Sequence, residues 1–226
     1  GDSDRIESGG GTMGSRSVPV GGSAVAACAE KIIETARESA ADLLEAATVD
    51  LEFMGGEFRV VGTDRSCNFR EVAAYAAADD SATSFDEQEG FAPQEATYPN
   101  GTHICELEID KETGVVEIVD YTVVDDFGKV INPLLLAGQV HGGIAQGIGQ
   151  ALLERCVYEP ESGQLLSATY QDYTMPRADN ISHIELTLNE VPCVTNPLGI
   201  KGAGEAGAIG APPAVVNALV NALQDY

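Results

Sequence analysis

Positive charge is scarce in this 226-residue sequence. It has 12 Lys and Arg against 36 Asp and Glu, which gives a net charge of −24, and the basic residues form no run. A phosphate backbone would be repelled by such a chain, so nucleic acid is excluded as an expected partner. The acidity is typical of a soluble protein and indicates no particular substrate.

Long hydrophobic runs are also missing. No apolar stretch approaches the roughly 20 residues that span a bilayer, and the opening residues "GDSDRIESGG" lack the basic and apolar regions of a signal peptide. We therefore expect no membrane partner and a cytoplasmic location.

Local metal-binding motifs are lacking as well. The five cysteines are scattered without a CxxC pair, and the three histidines are far apart. Neither a zinc site nor an iron-sulfur cluster is indicated by this spacing. We expect no metal ligand among the side chains of this chain, and we interpret its histidines as structural or surface residues.

What the sequence does contain predicts an α+β fold with mixed or antiparallel sheets and packed helices. Helical periodicity covers 21–47 and 134–154, and alternating residues predict hairpins around 51–61 and 102–126. The polar, acidic segment 79–101 is typical of an exposed linker. We accordingly divide the chain into 1–78, the linker 79–101, and 102–226.

Two glycine-rich loops match the dinucleotide-binding pattern GxGxxG, at 9–14 and 202–207. That pattern requires a buried strand before the loop and a helix that begins directly after it. Residues 1–8 are too polar for a buried strand, and Pro212 and Pro213 are expected to obstruct a helix that opens at Gly207. We therefore do not predict a nicotinamide site.

The first loop, "GGGTMGSRS" at 9–17, carries groups that can bind an anion. Its glycines expose backbone N–H groups, Thr12 and Ser15 offer hydroxyls, and Arg16 offers a guanidinium that matches phosphate. A flexible loop that merely caps the following helix is an equally good interpretation from composition.

The second loop, "KGAGEAG" at 201–207, places Glu205 among glycine and alanine. Glycine allows the backbone to approach a ligand closely. The segment therefore predicts a loop that packs against a ligand, with the carboxylate pointing towards that ligand. Lys201 could pair with a phosphate or face solvent.

Other polar residues have less specific interpretations. Gln146 has both a donor and an acceptor for a heterocycle edge, although a helix-surface glutamine is the simpler interpretation. Asp125 and Asp126 could form an acid pair, but at a strand end we expect solvated turn carboxylates.

Several long motifs occur together in one order. They are "GGGTMGSRS", "YPNGTHICELEIDKETGVVEIVDYTVVDDFGKVINPLLLAGQVHGGIAQGIGQALLE", "YQDYTMPRADN" and "NPLGIKGAGEAGAIGAPPAVVNAL". In this order they resemble the molybdenum hydroxylase family of xanthine dehydrogenase, aldehyde oxidase and aerobic carbon monoxide dehydrogenase large subunits. The resemblance covers nearly the whole chain and implies the second, C-terminal half of the molybdopterin-binding region.

The resemblance implies roles for particular residues. Glu205 matches the glutamate that acts as general base when water-derived oxygen is inserted into a C–H bond. The cofactor implied is molybdenum bound to molybdopterin, in bacteria usually as the cytosine dinucleotide. The residues that match its binding loops are Gly11, Thr12, Met13, Gly14, Ser15, Arg16, Gln146, Lys201 and Gly202.

The resemblance also implies partners. The remaining half of the molybdenum-binding region, together with iron-sulfur and FAD subunits that take the electrons, would form a hetero-oligomer with this chain. The implied small-molecule substrate is an aldehyde, a purine, an N-heterocycle or carbon monoxide, and the residues that select among them lie in the missing half. The alternative is a non-catalytic assembly module that retains the fold without the cofactor.

Overall fold

The computed structural model describes residues 2, 4, 9–78, 85–181 and 183–224. The chain divides into two compact units, which are described separately. The small unit is Val20–Ala92, and the large unit combines Gly1–Pro19 with Pro93–Tyr226.

The small unit packs two helices with an antiparallel sheet. Its helices are α1 (Ser23–Leu43) and α2 (Phe69–Ala78), and its strands are β1 (Leu51–Met54), β2 (Glu57–Val60) and β3 (Ser66–Asn68), in the order β1-β2-β3. The predicted helix and the two-glycine hairpin are both present, whereas β3 and α2 were not predicted. The core is formed by buried alanines of α1 against Leu51, Phe58 and Val72.

The large unit contains a mixed sheet and two long helices. Strands β4 (Asn100–Ile109) and β5 (Val116–Asp126) form the predicted antiparallel hairpin, and β6 (Ile184–Leu188) pairs parallel to β5. The helices are α3 (Pro133–Ile148), which continues as a π-helical turn over Gly149–Leu153, and α4 (Ala206–Ala222). The predicted α+β class with mixed and antiparallel sheets is confirmed.

Local sequence explains where the hairpin turns and where α3 begins. At the turn, the Asp110 carboxylate accepts hydrogen bonds from the backbone N–H groups of Glu112 and Thr113, at 2.8 and 3.2 Å. At the start of α3, the Asn132 side chain accepts from the Leu135 N–H at 3.1 Å, and Pro133 occupies the first turn.

Close approach of α3 and α4 explains the glycines of both helices. A methyl group at Gly143 would lie 2.9 to 3.0 Å from backbone atoms of Ala208 and Gly207, and one at Gly147 would lie 2.8 Å from the Pro212 ring. The buried side chains of the two helices then pack beneath β4 and β5 around Tyr121. This packing fixes the first turn of α4, which follows Glu205 directly.

The expected effect of the two prolines was wrong. Helix α4 begins at Ala206, so Pro212 and Pro213 lie inside it. A proline inside a helix removes a backbone donor and usually bends or breaks the helix. Here the Pro212 ring packs in the space that Gly147 leaves open, and the helix continues through both prolines.

The division into units differs from the boundaries expected at 79–101. The loop 9–17 was grouped with 1–78 in that division, whereas in the structure this loop belongs to the large unit. Residues 79–84 lie outside the described residues. In the rest of the expected linker, Phe85 packs against Phe69. Glu87 and Glu89 form ion pairs with Lys31 on α1.

Candidate active site

The first glycine loop forms a tight turn in the large unit. Arg16 N–H donates to the Met13 carbonyl at 3.3 Å, and the two central residues, Gly14 and Ser15, have φ angles of +58° and +54°. Positive φ at both positions is the signature of a type I′ turn, in which glycine is common and serine is unusual. The turn is therefore held by contacts beyond its own sequence.

Those contacts come from the second glycine loop. Ser15 Oγ donates a hydrogen bond to Glu205 Oε2 at 2.8 Å. A methyl group at Gly202 would overlap the carbonyl oxygen of Ser15, so only glycine permits this approach. The structure thus brings together the two glycine loops, which are far apart in the sequence.

Glu205 is held at the entrance to α4. It is the residue before the first helical position, and its carbonyl accepts from the Ile209 N–H at 3.0 Å. The side chain is exposed and accepts from Ser15, which fixes one carboxylate oxygen and leaves the other available. A carboxylate in this position can accept a proton from a bound group.

A pocket of about 290 Å³ adjoins Glu205. Ser15, Gly202 and Glu205 line one part of it, and His103, Asp125 and Gly210 line another. The pocket is therefore formed by both glycine loops, the β4–β5 hairpin and the first turns of α4.

Three inward-facing residues of the hairpin form a buried polar cluster, which we call the hairpin triad: His103, Tyr121 and Asp125. His103 Nδ1 lies 2.8 Å from the Tyr121 hydroxyl, and His103 Nε2 lies 3.6 Å from Asp125 Oδ1. Burial raises the pKa of Tyr121, so its hydroxyl stays protonated in contact with Nδ1. The other ring nitrogen, Nε2, faces Asp125.

Sequence reasoning did not find this triad. Asp125 was expected to be a solvated turn carboxylate, but it is 3% exposed. The available signal was the alternation along the hairpin, because β4 and β5 place His103, Tyr121 and Asp125 on the inward face where apolar residues are expected.

The expectation for Asp126 was also wrong, since it is 6% exposed. Its Oδ1 accepts from the N–H groups of Gly128 and Val191 at 2.8 and 3.1 Å, and its Oδ2 forms an ion pair with Lys201 Nζ. The Lys201 ammonium is therefore held by Asp126 and is largely removed from solvent. The ion pair ties the start of the second glycine loop to the end of β5.

The other candidate residues have varied surroundings. Gly11, Thr12, Met13 and Arg16 are exposed, and Ser17 Oγ donates to Thr12 Oγ1 at 2.9 Å, which leaves the Thr12 hydroxyl proton free to donate elsewhere.

Gln146 is exposed on α3 and does not line the pocket. Thr97, which was expected in an exposed linker, instead accepts from the Gly202 N–H at 3.3 Å.

Comparison with known proteins identifies the family. Residues 1–182 match the molybdopterin cofactor-binding domain family. The chain belongs to this family. The resemblance to molybdenum hydroxylases that the sequence motifs indicated is thereby confirmed.

Relatives match across nearly the whole chain. The gamma subunit of the 6-hydroxypseudooxynicotine dehydrogenase complex of Paenarthrobacter nicotinovorans is 35% identical over 99% of this chain and 29% of its own length. The carbon monoxide dehydrogenase large chain of Hydrogenophaga pseudoflava is 33% identical over 98% of this chain and 28% of its own. The chain therefore spans less than a third of these family members.

Solved structures share the fold. A Cu,Mo-CO dehydrogenase structure superimposes over 100% of this chain and 29% of its own, with a TM-score of 0.86 and 34% identity. Quinoline 2-oxidoreductase from Pseudomonas putida 86 matches over 95% of this chain and 28% of its own, with a TM-score of 0.84 and 36% identity.

The residues present fit a molybdopterin cofactor in this family. The open turn around Gly11–Arg16 offers exposed backbone amides, hydroxyls and a guanidinium, which is a donor set suited to an anionic pyrophosphate.

Among the described residues, no cluster of three or more His, Cys, Asp or Glu is arranged to hold a metal ion. Within the same described part of the chain, no helix has the length and apolar character to cross a membrane.

Proposed function

We propose that this chain is part of a molybdenum hydroxylase large subunit. It contributes the general base, Glu205, and one wall of the cofactor site. The observation that carries the proposal is the Ser15–Glu205 hydrogen bond, which joins the anion-binding turn to the candidate base. When bound, the molybdenum cofactor supplies the two-electron redox centre for oxidation of the substrate.

Each part of the site has a separate task. The amides of Gly11–Arg16 with the Thr12 hydroxyl and the Arg16 guanidinium bind the pyrophosphate of a cofactor in its dinucleotide form. Gln146 binds the pterin edge, and the backbone around Lys201 and Gly202 also holds the cofactor. Ser15 fixes one oxygen of Glu205, so that the other is oriented to take a proton.

The proposed substrate is a small molecule of the range seen in the family, namely an aldehyde, a purine, an N-heterocycle or carbon monoxide. Relatives with 33 to 35% identity are named for carbon monoxide, nicotine and 6-hydroxypseudooxynicotine, so overall identity does not select among these substrates. The proposed partners are the remaining molybdenum-binding half and the iron-sulfur and FAD subunits, in a cytoplasmic hetero-oligomer.

Substitution of Glu205 tests the proposal. In the complete, cofactor-loaded enzyme we expect Glu205→Gln to lower kcat by about 10² to 10⁴, because the amide keeps the shape but cannot accept a proton. Molybdenum content should stay near normal. Glu106→Gln, on the exposed face of β4, is the control and should leave both quantities unchanged.

A second substitution separates binding from chemistry. Arg16→Ala should lower the molybdenum and pterin content, while each loaded site keeps a turnover near normal. Full metal content and normal turnover in Glu205→Gln would show that the base lies elsewhere. A complete complex that contains no metal or pterin at this site would favour the non-catalytic assembly module.

A further inference from the structure

One side of α4 is both apolar and exposed along the length of the helix. Five residues share this side at alternating spacings of four and three, and we call them the α4 stripe: Ile209, Pro213, Val216, Val220 and Leu223. The four residues other than proline are 45 to 70% exposed. At about 1.5 Å of rise per residue, the stripe is roughly 21 Å long.

Helix α4 also carries no charge. Asp, Glu, Lys and Arg are all absent from Ala206–Ala222, although the net charge of the chain is −24. In α1, by comparison, Glu, Lys, Arg and Asp alternate with the apolar residues. A helix that is apolar on every side is typically buried on every side. Single exposed apolar residues are ordinary, whereas a continuous row of them indicates an interaction surface.

The sides of α4 that this chain covers are those towards α3 and β4. Gly207, Ala211 and Val215 are buried on the side that packs against α3, and the stripe lies on the opposite side of the helix. Strand β4 packs against α4 where His103 contacts Gly210, and among the described residues it pairs with β5 alone. Both elements can therefore accept a further neighbour.

The stripe begins at the pocket beside Glu205. Ile209, its first residue, lines this pocket together with Glu205. An element that lies along the stripe therefore also forms part of the pocket wall. In the proposed function, the remaining molybdenum-binding half completes the cofactor site around Glu205, which brings that half to the start of the stripe.

The family members that match this chain are long enough to supply such an element. The chain spans 29% of one relative and 28% of another, so more than two thirds of each relative lies outside the matched region. A second copy of this chain is a poorer occupant, because two chains that each carry a charge of −24 repel one another.

We propose that the α4 stripe is the docking surface for the remaining molybdenum-binding half of the large subunit, which lays an apolar, uncharged element along it. The inference rests on the proposed function, in which this chain is one part of such a subunit. A contact that is apolar and free of charge resembles a domain core and is typical of permanent association. The docked element also closes the pocket beside Glu205 at Ile209.

Thiol labelling of the complete enzyme tests whether the stripe is covered. Val216 on α4 is 45% exposed, and Val119 on β5 is 42% exposed, so the two valines are equally accessible in this chain. We expect a maleimide to label Val216→Cys about tenfold more slowly than Val119→Cys in the folded enzyme, because the core of an interface excludes solvent.

The control is built into the same pair of variants. Val119 lies between Glu117 and Asp120 in the sequence of β5, which is typical of a strand face in contact with water. After denaturation the two introduced thiols should be labelled at the same rate, and peptide mass spectrometry separates them from the native cysteines. Similar rates in the folded enzyme would overturn the proposal.

Photo-crosslinking identifies the occupant. A benzophenone amino acid at Asn217, which is exposed on α4 beside the stripe, can reach a docked element without entering the apolar contact. We expect the cross-linked peptide to come from the large subunit outside residues 1–226. A cross-link to residues 1–226 of a second copy, a cross-link to an iron-sulfur or FAD subunit, or the absence of any cross-link would contradict the assignment.

The outcomes separate this proposal from the proposed function. Slow turnover in Glu205→Gln, together with rapid labelling of Val216→Cys, overturns the docking surface alone. Normal turnover in Glu205→Gln overturns the proposed function. The labelling and cross-linking results are independent of turnover, because they measure accessibility and proximity rather than activity.

Discussion

Asp126 illustrates how one side chain holds the glycine loop that carries Glu205. Burial acts to raise the pKa of its carboxyl, but the Lys201 ammonium and the N–H groups of Gly128 and Val191 outweigh burial and keep the pKa below its ordinary value of 3.8. Because the folded state favours the charged form, this carboxylate stabilises the fold above pH 3.8, the ordinary pKa of the group. The stabilisation is lost as the pH falls through the lowered pKa of the folded state.

Substitution of Asp126 should therefore destabilise the protein in a pH-dependent way. We expect Asp126→Asn to lower the free energy of unfolding by about 3 kcal/mol at neutral pH, because it leaves the buried Lys201 ammonium without its counter-charge. The difference from the parent should shrink as the pH falls below 3.8. Denaturant unfolding at several pH values measures it.

The control for this measurement is Glu185→Gln on the exposed side of β6. It should leave stability at neutral pH within about 0.5 kcal/mol of the parent. A constant difference between Asp126→Asn and the parent from neutral pH to about pH 3 would contradict the role assigned to the ion pair.

At the residue scale, the sequence predicted the chemistry of the loops better than their surroundings. Glu205 and Ser15 were candidates because carboxylate and hydroxyl groups stand out among glycines. Asp126 was misjudged because its contacts come from segments distant in the sequence, namely Val191 and Lys201. Asp125 was misjudged because it lies against Gly101 and His103 of the paired strand β4. No local pattern reports such contacts.

The α3–α4 contact shows what the glycines do at the scale of whole elements. Gly143 faces the backbone of α4, whereas a methyl group at its neighbour Gly142 would have no atom of the described residues within 4 Å outside its own helix. The two adjacent glycines therefore differ in a single property, which is the presence of a helix opposite.

This pair gives a matched test of helix packing. Gly143→Ala should destabilise the protein by about 1–3 kcal/mol, because backbone atoms cannot move aside as a flexible side chain would. Gly142→Ala should be neutral or stabilising by up to about 1 kcal/mol, since alanine favours the helix. Thermal unfolding of both variants measures the difference, and equal stabilities would mean that α3 and α4 are further apart.

Element boundaries were predictable where the signals were local. The length of α3 followed from its apolar run, and the β4–β5 hairpin followed from alternation and its turn residues. The start of α4 was not predictable from its prolines, because the ring of Pro212 is accommodated by Gly147 on another helix. The parallel pairing of β6 with β5 lay wholly beyond sequence patterns, since it joins Ile184 to Tyr121 across a long stretch of chain.

At the scale of the whole molecule, the segment between the two units should be the most accessible to protease. Glu87 and Glu89 are paired with Lys31 in the small unit, and Thr97 accepts a hydrogen bond in the large unit, so residues 90–96 lie between these attachments. Glu95 is exposed within this segment.

Limited digestion with a glutamyl endopeptidase should therefore cut first after Glu95. Glu154 provides an internal comparison, because it accepts a hydrogen bond from the Tyr173 hydroxyl at 2.6 Å and is partly buried. Mass spectrometry of the first fragments identifies the site. Early cleavage after Glu154 would contradict this account of how the chain is divided.

The hydrogen bond between Ser15 and Glu205 joins residues 190 positions apart, which affects how the protein folds. Closing a flexible loop of that length costs about 5 kcal/mol in chain entropy, a cost that falls when Val20–Ala92 has already collapsed within it. Contacts of such long range form late, and during synthesis the turn at Gly14 must wait until α4 has left the ribosome. The contact between the two glycine loops is therefore completed only after Ser15 and Glu205 have both been made, so an interruption of synthesis before α4 would leave the first loop without its partner.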